Sequence, residues 1–226
     1  MPVAVYVRPE TLRGQQQMFG EIFGEHNDEL YPDAKDIEAQ IFEKNSQVAK
    51  CIRRDDIKGV AVHLPRLYGW SVGLWNRENL DIAEAVWHKY PNICARCFKA
   101  EGCTCIVQRL KYNSEDPRLI PYREDRSAEP KTVRGWQTRF DMMFGAANSD
   151  KHLVDIWLHL TEELGEMGRA LRHKDRAHLE EESADSFAWF IALCIKLGLD
   201  ADNLIWETYS WKCDECRQRK CICQFD

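Results

Sequence analysis

Apolar residues recur every three or four positions through most of this chain, and nowhere do they alternate with polar ones between hairpin turns. That pattern predicts an all-α protein with its helices packed as a bundle. The clearest stripe is Leu153, Ile156, Trp157, Leu160, Leu164, Met167 and Leu171, on a helix expected over 149–173. A third helix of the second half is expected over 176–197, where SFAWFIALCIKLGL is apolar nearly all the way round and must lie buried between other elements. A short helix then carries Trp206 into a group of cysteines. The first half shows the same layout, with a first helix after Pro9, a second over 33–54, a third over 57–75 and a short fourth carrying Trp87. Thr11 and Thr132 are the expected N-caps of the two first helices, which should stop near Phe23-Gly24 and Phe144-Gly145, where glycine suits the residue after a helix.

The likeness between the halves is literal. PETLRGQQQMFGEIFG, from Pro9, and PKTVRGWQTRFDMMFG, from Pro130, agree at eight of sixteen positions without a gap, where chance gives about one. Trp87, Tyr90, Cys94 and Cys97 match Trp206, Tyr209, Cys213 and Cys216 at one constant offset. The chain reads as a tandem duplication, with domains over 1–105 and 130–226. The stretch 106–129, with Pro117 and Pro121 among dense mixed charge, reads as a linker.

Composition narrows the function classes. A formal charge of −6 over 226 residues argues against a nucleic-acid partner, which would need a basic face. The N-terminus reaches charged residues too soon for a secretory signal, and the longest apolar run, 187–199, is interrupted by Lys196 and too short to span a bilayer. The expectation is a soluble cytoplasmic protein with no membrane partner. Eight of the ten cysteines fall in two tight groups, Cys94, Cys97, Cys103, Cys105 and Cys213, Cys216, Cys221, Cys223. Each is a CxxC followed closely by a CxC, the spacing of a small knuckle closing four thiolates around a structural Zn²⁺. Disulfides would need an oxidising compartment. Cys51 and Cys194 fall in apolar patterns and read as core residues.

The acidic chemistry lies between Thr161 and Asp185. Glu163 with Glu166, and Glu182 with Asp185, are each three apart, so each pair shares one face of a helix. Two such helices packed antiparallel bring four carboxylates together, which repel unless a hard cation sits among them, Mg²⁺ or Mn²⁺. Arg169, Arg172 and Lys174 follow within two turns and are candidates to offset phosphate charge; they read equally as a solvated basic helix end. Trp157 reads as core, and His159, off the stripe, as a surface or hydrogen-bonded histidine.

Glu162-Glu163-Leu164-Gly165-Glu166, followed after fifteen residues by Glu182-Ser183-Ala184-Asp185, resembles the signature of the MazG-like all-α nucleoside triphosphate pyrophosphohydrolases. The resemblance implies a helical bundle that assembles in pairs, binds Mg²⁺ and converts a nucleoside triphosphate to the monophosphate and pyrophosphate. It makes Glu163, Glu166, Glu182 and Asp185 metal ligands, and Glu162 an outer ligand or the base that orients water. At the same offset the first repeat presents Glu43, Lys44, Gln47, His63 and Arg66 opposite Glu162, Glu163, Glu166, Glu182 and Asp185. Such a set cannot hold Mg²⁺. The duplication therefore reads as a MazG-like pseudo-dimer with one live site, whether or not two chains pair again. A zinc-dependent interaction module and a nucleotide sensor without turnover are the alternatives. Elemental analysis of the purified chain is expected to find two zinc ions; fewer than one per chain would contradict the knuckle reading.

Overall fold

The computed structural model describes residues 6–103, 105 and 111–224. Among these there are nine α-helices and no strand. The first half holds α1 (Leu12–Leu30), α2 (Ala34–Ile52), α3 (Ile57–Arg77) and α4 (Ile82–Lys89). A 3₁₀ turn, Pro117–Leu119, leads into the single turn α5 (Ile120–Glu124). The second half holds α6 (Val133–Ser149), α7 (Leu153–His173), α8 (Arg176–Lys196) and α9 (Ala201–Tyr209).

Side-chain caps set the helix starts. Thr11 accepts from the Gly14 N–H and Thr132 from the Gly135 N–H; Asp56, Asp81, Asp175 and Asp200 cap α3, α4, α8 and α9 in the same way. The stops of the two first helices differ from expectation. α1 runs through Gly24 to Leu30 and α6 through Gly145 to Ser149. A glycine inside a helix costs only about 1 kcal/mol relative to alanine. The true stop of α1 is Tyr31, held out of the helical region by the following Pro32.

The halves interlock. α8 packs on α7 and α6 of its own half and on α4 and α3 of the other, while α9 packs back onto α3 and α7 crosses α2. One apolar core draws on both halves. At its centre Tyr68 of α3 stacks on Phe190 of α8, centroids 4.8 Å apart, and donates its hydroxyl to the buried Gln15 of α1. Between α2 and α7, the buried Asn45 accepts from Trp157 Nε1 at 2.9 Å and donates to Thr161 at 3.0 Å. Gly69 of α3 has no room for a side chain, because an added Cβ would stand 2.5 Å from the Tyr209 oxygen of α9.

Most described residues of the stretch read as a linker are exposed, and particular residues tie it to the fold. Leu119 is fully buried against Ile93 and Ala95, and Trp87 Nε1 donates to the Arg123 carbonyl. Residues 106–110 of that reading lie outside the described residues. Among the described residues no helix is long and apolar enough to cross a membrane. The stripe of α7 gives a direct test: Leu164 is 2% exposed and Leu158 49%. Leu164→Ala should cost about 2–5 kcal/mol in denaturant unfolding and Leu158→Ala within about 0.5 kcal/mol; equal costs would contradict this packing.

Candidate functional site

α7 and α8 run antiparallel and bring the acidic pairs together, though not as one cage. Ligand oxygens of Glu163, Glu182 and Asp185 lie within 4.8 Å of one another, a group that could hold a metal ion. Glu166 is absent from that group and joins a second one with His178 and Glu182. The antiparallel packing explains the division. One turn onward along α7, from Glu163 to Glu166, is one turn backward along α8, from Glu182 to His178. Without a metal, the four expected carboxylates fall into two groups of three that share Glu182.

The electrostatics show the strain of the first triad. Burial pushes the Glu163 carboxyl up to about 9, helped by a hydrogen bond with Glu182 and by the charges of Asp185, Glu182 and Glu166. Glu182, 4% exposed, is also raised by burial, against the lowering effect of its bond with Glu163. Trp189 Nε1 donates to Glu163 at 3.2 Å. Asp185 is served from the other half of the chain: Lys89 Nζ lies 2.8 Å from it and 2.7 Å from Glu181, and the Tyr90 hydroxyl donates to it. Burial pulls the Lys89 pKa down, but the charges and hydrogen bonds of Asp185 and Glu181 outweigh it and raise it overall. Tyr90 is held well above its ordinary value by burial and then by Asp185. Lys89 and Tyr90 carry no local sequence signal. The one hint was that Thr208 stands opposite Lys89 in the second half.

Beside the triad opens a cavity of about 690 Å³, a size suited to a small organic ligand. Phe140, Phe144 and Trp189 give it an apolar wall, and Arg96, Asn148 and Lys151 add polar atoms. His159 lines it too, stacked on Trp189 with centroids 4.4 Å apart and planes 14° from parallel, and hydrogen-bonded to Glu162. Glu162 stands at the mouth, 70% exposed, with its carboxylate 3.2 Å from His159 Nδ1. Arg169, Arg172 and Lys174 do not line the cavity. Arg169 is exposed, Arg172 pairs with Glu38 at 3.4 Å, and Lys174 takes a left-handed conformation (φ 55°) that ends α7. The cations that line the cavity are Lys89, Arg96, Lys151 and Lys196, and of these Lys89 pairs with Asp185.

The first half has a smaller cavity of about 370 Å³ in the matching place, lined by Lys44, Arg66, Trp70, Tyr209 and Asp214. Arg66 pairs there with Asp214 at 2.8 Å and Lys44 with Glu43 at 2.9 Å. Burial, then Arg66 and Lys44, lower the His63 pKa, and its Nδ1 is buried without a hydrogen-bond partner. Two cations, Lys44 and Arg66, stand where the second half has Glu163 and Asp185, and Asp214 answers Arg66 as Lys89 answers Asp185.

The eight clustered cysteines meet in their two groups of four, with ligand atoms in each within 4.8 Å of one another, and all are free thiols. In the first group Cys94 Sγ lies 3.3 Å from Cys105 and 3.4 Å from Cys103, and Cys97 3.8 Å from Cys103. In the second, Cys213 lies 3.5 Å from Cys221 and 3.8 Å from Cys223. A tetrahedron with Zn–S near 2.3 Å has edges of about 3.8 Å, so both groups could hold zinc. Cys94, Cys103 and Cys105 also form part of the cavity wall. Comparisons of the chain with protein families, curated proteins and solved structures return no match.

Glu163 generates a pH prediction. An unfolded glutamate ionises near its ordinary value of about 4.3, whereas the folded metal-free chain keeps the Glu163 proton up to about 9. Between those values the folded state holds the extra proton, so this contribution to stability is lost as pH rises through that window. A divalent cation at the triad must displace the same proton. Binding should therefore tighten as pH rises, with proton release visible by calorimetry in buffers of different ionisation enthalpy; binding that is independent of buffer and pH would contradict the assignment.

Proposed function

We propose that the chain is a metal-dependent nucleotide pyrophosphohydrolase of the MazG-like kind, a tandem-duplicated pseudo-dimer with one live site and two structural zinc knuckles. The observation that carries this reading is the convergence of Glu163, Glu182 and Asp185 beside a cavity with aromatic and cationic walls. All-oxygen carboxylate ligands suit Mg²⁺ or Mn²⁺. The cation, when bound, supplies positive charge to phosphoryl oxygens and a more acidic water. The chain's own residues do the rest. Tyr90 and Lys89 fix Asp185 in place beside Glu163 and Glu182, so that the three would hold the cation together. Arg96 and Lys151 offset polyphosphate charge along the wall. The stacked His159 and Trp189 offer a flat face for a nucleobase. Glu162, anchored by His159, is the group that orients and deprotonates the attacking water.

A panel of ribo- and deoxynucleoside triphosphates incubated with the full chain and Mg²⁺, with pyrophosphate and phosphate measured separately, should yield pyrophosphate from at least one. Glu163→Gln should lower that rate by about 10²-fold or more with no loss of thermal stability. Undiminished activity in Glu163→Gln would remove the triad from the chemistry, and nucleotide binding without any product would favour a sensor.

A further inference from the structure

Between Cys94 and Cys97 stand Ala95 and Arg96; at the matching places between Cys213 and Cys216 stand Asp214 and Glu215. Each pair lines a cavity. Ala95 and Arg96 line the one beside the acidic triad, and Asp214 and Glu215 line the one that holds Lys44 and Arg66. Each knuckle thus carries charge opposite to that of the helices it meets: an arginine where they present acids, two acids where they present cations. In the second knuckle the match is made within the chain, since Asp214 pairs with Arg66 at 2.8 Å. In the first it is not. Of the four cations lining the larger cavity, Lys89 pairs with Asp185, Lys151 donates to the Ala147 carbonyl and Lys196 to that of Ser149. Arg96 is exposed, and among the described residues it has no ion-pair partner.

The knuckle holds Arg96 at that wall. The Gly102 and Cys103 N–H groups donate to the Met142 and Met143 carbonyls of α6 at 3.2 and 2.8 Å, and Met143 is fully buried against Cys94 and Cys105. Arg139 of α6 donates to the Ala100 carbonyl at 2.7 Å and also to that of Asn92. Residues 91–103 form turns and bends without helix or strand. In such a loop, the free energy of closing four thiolates around a cation becomes the ordering free energy of the segment. We propose that the first knuckle is part of the ligand site: its Zn²⁺ fixes a short arm that presents Arg96 to the phosphate groups of the bound molecule. The guanidinium fork matches phosphate oxygens bidentately. Arg96 is the binding residue, and Cys94, Cys97, Cys103 and Cys105 are its positioning residues. The second knuckle, whose Asp214 is already paired, serves the fold alone. The proposal rests on reading the larger cavity as a site for a phosphate-bearing ligand; it does not require turnover.

The test is calorimetric binding of the α,β-methylene analogues of ATP, CTP, GTP and UTP, and of inorganic triphosphate, to the full zinc-loaded chain with Mg²⁺. At least one nucleotide analogue is expected to bind. Cys97→Ser/Cys103→Ser, which removes the two partly exposed thiols of the first knuckle, should lose one zinc and weaken that analogue about tenfold or more. The matched change Cys216→Ser/Cys223→Ser should also lose one zinc yet bind the analogue like wild type. Arg96→Ala should weaken binding about tenfold in the wild-type background, but less than about twofold once the first knuckle is open. General loosening of the fold would not produce that non-additivity. Arg139→Ala, which cuts the tie to α6 and keeps every thiol, should show the same coupling to Arg96→Ala and serves if the open knuckle does not fold. Equal affinity in wild type and both knuckle variants, or full additivity with Arg96→Ala, overturns the arm. Binding of inorganic triphosphate but of no nucleotide analogue, with the same dependence on Arg96 and the first knuckle, would support the arm and overturn the nucleotide reading. Binding of neither to wild type would overturn both.

Discussion

Three carboxylates, Glu163, Glu182 and Asp185, share a space less than 5 Å across, two of them on the most enclosed helix of the bundle. At that separation and an effective dielectric of about 20, each like-charged pair costs about 3–4 kcal/mol. The metal-free protein cannot carry all three charges unaided. It meets one with Lys89, bonds Asp185 further through Tyr90, and leaves Glu163 protonated to unusually high pH. Glu182 is bonded to Glu163 and faces the His178 imidazole. Everything nearby can be understood as the arrangement of groups around this unresolved negative charge, and a divalent cation resolves it at lower cost than any side chain present.

The interlocked helices make that arrangement depend on both halves of the chain. α4, from the first half, ends against α8, so that Lys89 and Tyr90 arrive at an acid placed almost a hundred residues later. α9 makes the reciprocal crossing to α3, where Tyr209 donates to the Pro65 carbonyl and Asp214 meets Arg66. On one side the helices carry acids and the crossing segment carries the cation; on the other the signs are exchanged. An ion pair held by two side chains does in the first half what, on the proposed reading, the second half would leave to an ion from solution. The apolar packing is alike on both sides, so the acids of the second half are not needed to hold the helices together.

Much of this was legible in the sequence. The helices, the threonine caps of the two first ones, the buried character of α8 and the two cysteine groups all follow from spacing, because each is a short-range property. What escaped was long-range. No local pattern reveals that Lys89 faces Asp185, that His159 lies flat on Trp189, or that Asn45 ties α2 to α7. The division of the acids into two triads also needed three dimensions: spacing places Glu163 and Glu166 on one face, but only the direction of α8 decides which of its residues each one meets. Arg169, Arg172 and Lys174 look like phosphate ligands in one dimension because they follow the acids; the helix carries them past the end of the cavity.

The most direct test of the central claim is a crystal structure of the full chain with Mn²⁺ and a non-hydrolysable nucleoside triphosphate analogue, with the metal located by its anomalous scattering. The account predicts a peak coordinated jointly by Glu163, Glu182 and Asp185, with phosphate oxygens on it and the base against His159 and Trp189. Carboxylates that remain protonated and hydrogen-bonded to one another, with no metal between them and the analogue bound elsewhere, would contradict it.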